Sequence, residues 1–157
     1  MSNLEVFNSG NSAAAISLAT GGTLYYVGRI DGVSGKVHKL RSLDLWCDNA
    51  ANTDGTYEVV IARCTTTNVD TEWGALTGLK TDSSAGAAVA GVAYIPSGGT
   101  PSPTGVSRMY NYGGISYGSK FSRLFSLNIN PAESLLIAVQ HPVNSRNVRF
   151  TFELETP

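Results

Sequence analysis

The chain is 157 residues long with a net charge of −1, which leaves no basic footprint for nucleic acid or for an anionic lipid surface. That length suits one domain, and no apolar run approaches the roughly 20 residues a membrane-spanning helix needs. Charged residues make up only 15%, against about a quarter in an ordinary soluble domain; Gly, Ser, Thr, Ala and Asn fill the difference, as expected of a surface that is partly covered by assembly with partners.

The start, MSNLEVFNSG, has neither the basic opening nor the apolar centre of a secretion signal. No Asn-x-Ser/Thr sequon occurs, so synthesis and folding in a cytoplasm are expected. Leu4-Glu5-Val6-Phe7 alternates apolar and polar ahead of turn-forming residues, and residues 1–12 read as an N-terminal arm or an edge strand. Residues 13–157 then form a single domain. Residues 13–19 are weakly strand-like, 23–30 (TLYYVGRI) are rich in β formers, and 31–35 read as a turn.

The longest strand-turn-strand signal runs over residues 36–67. Leu43, Leu45 and Cys47 share one face of a strand, as do Tyr57, Val59 and Ile61, because successive side chains alternate. Between them residues 48–55 are small or turn-forming and include the favoured pair Asp54-Gly55, so a hairpin is predicted. Leu40 falls out of phase with Leu43, and Trp46 shares Leu40's phase; either a β-bulge near Arg41-Ser42 shifts the register, which is the favoured reading, or the strand is covered on both faces.

Residues 68–90 read as a loop with a short strand, because Gly74 and Gly78 each weaken a helix by about 1 kcal/mol. Residues 87–95 (AAVAGVAYI) look like a buried strand. Residues 96–119, dominated by Gly, Ser, Pro and Tyr, are expected to be a long loop with a brief strand near 106–112. Phe121, Phe125, Leu127 and Ile129 then alternate with mostly polar residues, and Arg123 breaks that face. Asn130-Pro131-Ala132-Glu133 makes a turn, Leu135, Ile137 and Val139 share a face, and 142–145 make another turn. Val148, Phe150, Phe152 and Leu154 alternate with polar residues to the end. Roughly seven to nine short strands and no helix argue for an all-β, antiparallel β-sandwich or jelly roll. Its core is expected to hold Leu43, Leu45, Val59, Ile61, Phe125, Leu127, Ile137, Val139, Phe150 and Phe152.

No catalytic constellation is legible, so no catalytic, cofactor or metal residues are assigned. The histidines are His38 and His141, both read as surface or strand-end residues rather than bases for a Ser or Cys nucleophile. There is no His-x-His or Cys-x-x-Cys spacing, and Asp44, Asp48, Asp54, Asp70 and Asp82 lack the spacing of a calcium loop. No feature picks out a carboxylate pair for glycoside hydrolysis. Ser34-Gly35-Lys36 lacks the first glycine and the Ser/Thr of a phosphate loop, and is a turn. In the predicted hairpin Cys64 lies about eight residues beyond the level of Cys47, past the ~7 Å Cα reach of a disulfide, so two buried thiols are expected. Trp46 is expected in the core. The candidate contact residues are Leu4, Val6 and Phe7 of the arm with Met109, Tyr110, Tyr112 and Tyr117 of the long loop, since Met and Tyr are unusual in a purely solvated excursion.

The ordered series SGKVHKLRSLDLW, TYEVVIARCTTT, WGALTGLKTDSSAGAAVA, LNINPAESLLIAVQ and VRFTFELE resembles small all-β virion proteins of tailed bacteriophages, the kind that decorate or cement capsids. The resemblance covers residues 34–155 and is one of pattern and order. It implies a jelly-roll-like fold, no enzymatic activity, and a homotrimer seated on the major capsid protein, in a virion assembled in the host cytoplasm. The tyrosine-rich stretch 109–117 departs from the family pattern. A carbohydrate- or receptor-binding module of a phage tail is the alternative, with the tyrosines as stacking surfaces.

Overall fold

Period-two alternation needs two sheets to bury its apolar faces against each other, and the described residues supply twelve strands to build them. In the computed structural model, which describes residues 3–9, 16–18, 24–47, 55–66, 69, 71–80, 92–97, 99–140 and 146–156, these are β1 (Asn3–Asn8), β2 (Ile16–Leu18), β3 (Leu24–Asp31), β4 (His38–Cys47), β5 (Thr56–Thr65), β6 (Trp73–Leu76), β7 (Leu79–Lys80), β8 (Ala93–Pro96), β9 (Ser107–Ser116), β10 (Lys120–Ile129), β11 (Glu133–Gln140) and β12 (Arg146–Thr156). The first sheet has the order β10-β4-β12-β1-β7, with β2 also pairing β12. The second has the order β6-β8-β3-β11-β5-β9. The main strands β1, β3, β4, β5, β9, β10, β11 and β12 fall into the four-strand orders β10-β4-β12-β1 and β3-β11-β5-β9, with the chain crossing between sheets at every step except β5 to β9. That connectivity is a jelly roll.

The predicted core is present. Leu43, Leu45, Val59, Ile61, Ile137, Val139, Phe150 and Phe152 are buried, and Phe125 and Leu127 pack against them from the rim. The bulge is present too. Ser42 pairs with Glu153 and Leu40 with Leu154, so Arg41 is the extra residue that brings Leu40 into phase with Leu43.

The hairpin is not. β4 pairs with β10 and β12, while β5 pairs with β11 and β9, so the two arms lie in different sheets. Turn residues fix that the chain reverses but not which neighbour each arm takes. Leu45 here faces Phe121 and Phe150 across its own sheet, and Ile61 faces Ile137. Of the connecting stretch only Gly55 lies within the described residues. The cysteines are free and buried as expected, though for another reason. Cys47 belongs to the core between the sheets, whereas Cys64 packs with Ala62 and Leu136 in a separate cluster.

Of the arm or edge strand expected over residues 1–12, Asn3–Asn8 are the strand β1: it pairs with β12 from Asn3↔Thr156 to Asn8↔Thr151 and with β7 at Glu5 and Val6, and Phe7 stacks on Phe152 at 4.9 Å. In 96–119 the brief strand expected near 106–112 is longer than expected: β9 runs Ser107–Ser116, hydrogen-bonded to β5. Most of its side chains are exposed, because an outermost strand is held by its backbone, and this explains its polar composition. Glu58 faces Gly113-Gly114, with Gly114 at φ 73°, and Met109 is an extra residue between the pairs Ile61↔Tyr110 and Ala62↔Arg108.

The stretch between β5 and β9 travels to the opposite side of the sandwich. There β6 and β8 extend the second sheet beyond β3, and β7 extends the first beyond β1. Gly78 makes the last contact possible, since a Cβ there would lie 2.6 Å from the Phe7 ring. Along the way Val69, Trp73 and Val106 cover Ala62, Cys64 and Leu136 on the outer face of the second sheet. Of the expected loop and short strand in 68–90, the described residues 69 and 71–80 hold two short strands, β6 and β7, and 81–90 lie outside the described residues; of the predicted strand 87–95, Ala93 to Ile95 lie in β8 and 87–91 lie outside the described residues, as do His141 and the turn 142–145.

Candidate contact surface

β9 and β10 are the outermost strands of their sheets on the same side of the molecule. Tyr110 and Tyr112 pair with Ile61 and Val59, which face the core, so both tyrosines lean towards the gap between the sheets. Phe121, Arg123 and Phe125 of β10 come from the other wall. The Tyr112 ring lies 5.2 Å from Phe121, 6.2 Å from Phe125 in an edge-on arrangement, and 6.1 Å from Tyr110. The Arg123 guanidinium sits 4.7 Å from the centre of the Tyr112 ring. The break in the β10 alternation thus caps an aromatic seam, with its charge towards solvent and its plane held by the ring.

Around this seam apolar surface is left open. Leu124 is 84% exposed, Tyr110 44% and Met109 38%. Arg108 and Arg123 make no ion pair among the described residues. At the end of the strand Lys120 pairs with Trp46, whose ring lies 5.7 Å from the ammonium on the outer face of the first sheet. Trp46 is therefore outside the core, contrary to expectation, because the Arg41 bulge gives the inward phase to Leu40 and Cys47 instead.

The candidate residues do not form one site. Met109 and Tyr110 are exposed and Tyr112 is half-buried in the seam. Leu4 is exposed and Val6 half-buried, but they sit on β1, across β12 and β4 from β10. Phe7 and Tyr117 are withdrawn from the surface altogether. Phe7 is fully buried, and Tyr117 is 7% exposed with its ring 6.0 Å from Tyr57. Tyr57 in turn donates its hydroxyl to the Ser119 carbonyl at 2.6 Å, and burial above all, with Cys47 adding to it, pushes its pKa up to about 12. Leu124, Arg123 and Trp46 belong to the exposed set and were not among the candidates. Leu124 carried a signal: it is an apolar residue on the polar phase of β10.

Two polar clusters lie elsewhere. Arg29 donates to Asp31 at 2.7 and 2.5 Å, lies 4.2 Å from the Tyr94 ring and 5.8 Å from Trp73, and so ties β3 to β8 and β6. Ser134 adds a 2.6 Å bond to Asp31. His38 starts β4 as a strand-end residue but is fully buried rather than on the surface, because Leu40 and His38 share the inward phase. Comparison of the chain with protein-family models, curated proteins and solved structures found no match.

Proposed function

We propose that the chain is a non-enzymatic virion structural protein that decorates and stabilises a bacteriophage capsid, seated on the major capsid protein through its β9–β10 side and assembled as a homotrimer. The observation that carries the reading is the combination of an 84% exposed Leu124 with exposed Tyr110 and Met109 and the stacked Arg123. Tyr, Arg and Met are the residue types that protein contacts favour, and their binding energy concentrates in a few such anchors. Stacking on Tyr112 restricts Arg123 before any partner arrives, which lowers the ordering cost on binding. The bulges in both outer strands disfavour simple strand addition, so the contact is made by side chains. Repetition over a capsid lattice multiplies a modest contact by avidity.

The test is binding of purified protein to capsids that lack it. Leu124→Ser and Tyr110→Ser should fold normally and lose at least tenfold in retention, roughly 1.4 kcal/mol per contact. Normal retention by both variants together would end the proposal. Tyr110 also supports a second reading, a glycan- or receptor-binding module of a phage tail, since an exposed ring beside polar groups suits sugar stacking. Electron microscopy of virions carrying the chain separates the two: density on the head supports decoration, and density on the tail supports the glycan reading.

A further inference from the structure

At one end of the first sheet the neighbouring strands β1, β12 and β4 each turn a polar side chain into the core. Glu5 is 1% exposed, Thr156 3% and His38 0%. The inward positions next along these strands, Phe7, Phe152, Leu154, Leu40 and Leu43, are apolar. His38 Nδ1 lies 3.2 Å from Thr156 Oγ1, and Nε2 is enclosed without a hydrogen-bond partner. The imidazole therefore has one nitrogen with a partner and one that is enclosed without a partner among the described residues.

We propose that His38 is an acid-sensitive latch whose protonation frees β1 from the sheet, a property independent of the contact surface described above. The neutral ring leaves Nε2 unpartnered at moderate cost. Protonation makes both nitrogens donors, and the second N–H then carries a cation into the core with no acceptor. Burial is the main effect that holds the ring below the usual histidine range. Lys36, in the turn ahead of β4, opposes the cation as well, and Glu5 on β1 is the one charge that favours it. Among the described side chains the remaining neighbours bring none: β12 supplies Thr156, and β10 supplies Ile129, which pairs with His38. Water reaches Nε2 only if a strand leaves, and β1 is the weakest of the three. It is bound along β12 on one side, but on the other only Glu5 and Val6 pair, with β7.

The sign follows from linkage. The native pKa is depressed relative to about 6.5 in the unfolded chain, so this contribution to stability is complete above pH ~6.5 and is lost as pH falls below it. Each pH unit in that window raises the opened population by up to tenfold.

Amide hydrogen exchange of the full chain at pH 7.5, 6.5 and 5.5, corrected for intrinsic rates, reads this directly. The expected result is up to tenfold less protection per unit below pH 6.5 in β1 and the adjoining end of β12, with β5 and β11 unchanged. His38→Gln should flatten that dependence, and Glu5→Gln should keep or deepen it. A flat wild type, an unchanged slope in His38→Gln, or a slope abolished by Glu5→Gln alone would overturn the proposal. Should His38→Gln not fold, proton NMR titration of the native His38 ring decides: a midpoint clearly below 6.5 supports the latch and a midpoint at or above 6.5 overturns it.

Discussion

The two sheets of the jelly roll differ in how many faces they bury. On β12 of the first sheet, Val148, Phe150, Phe152 and Leu154 point into the core while Asn147 and Arg149 are exposed. The second sheet has no such wet face at its centre. Ser134 to Val139 of β11 and Val59 to Ala62 of β5 are all buried, although every second residue points away from the other sheet. Part of the cover is the stretch between β5 and β9, whose Val69, Trp73 and Val106 lie over Leu136, Ala62 and Cys64. The difference shows in the sequence: VVIA and LLIAV are continuous apolar runs, the mark of a strand covered on both sides.

The largest test of that contrast is Leu136→Ala. If the outer face of the second sheet is a true core, the change costs about 2–5 kcal/mol, as any fully buried leucine does. Leu124→Ala, on the outer face of the first sheet, should stay within about 0.5 kcal/mol of the parent. Urea denaturation of both variants decides, and equal effects would erase the distinction. Arg29→Ala comes next. It removes the link between β3 and the covering strands β6 and β8 and leaves Asp31 without its guanidinium, so a loss of about 1–3 kcal/mol is expected. Exchange should rise first at β6 and β8; a rise spread evenly over both sheets would mean that the cover and the sandwich unfold as one unit. The smallest effect has the opposite sign. Ala132 sits at φ 62° in the turn closed by Glu133 N to Asn130 O at 3.2 Å. Ala132→Gly should stabilise by about 0.5–1 kcal/mol through relief of that left-handed conformation. A lower melting temperature would show that the turn is not strained.

What the sequence disclosed was whatever depended on the inward phase of single strands. The alternation in β12, the Arg41 bulge and the turn at Asn130 are local, and each is written in neighbouring residues. The partner of each strand is a global property, so β4 and β5, with matching patterns and a turn between them, read as a hairpin while belonging to opposite sheets. β9 was legible only in part, as a brief strand near 106–112, because its backbone more than its side chains makes Ser107–Ser116 a strand. Phe7 and His38 were misplaced because four alternating residues, or a lone histidine, carry no mark of the depth at which they end. The contact surface was half legible. Met109 and Tyr110 stand out by type in their surroundings, whereas Leu124 is recognisable only once the inward phase of β10 is known.

The position of β12 has a consequence for synthesis. It is the last strand of the twelve, yet it lies between β4 and β1, which are made much earlier. On the ribosome the edges of β4 and β1 that β12 joins must therefore stay open until β12 has emerged. The first sheet closes only once β12 has been made, in a slow step dominated by distant pairings. In that interval the nascent chain exposes Phe7, Leu43 and Leu45, the surfaces a chaperone would hold.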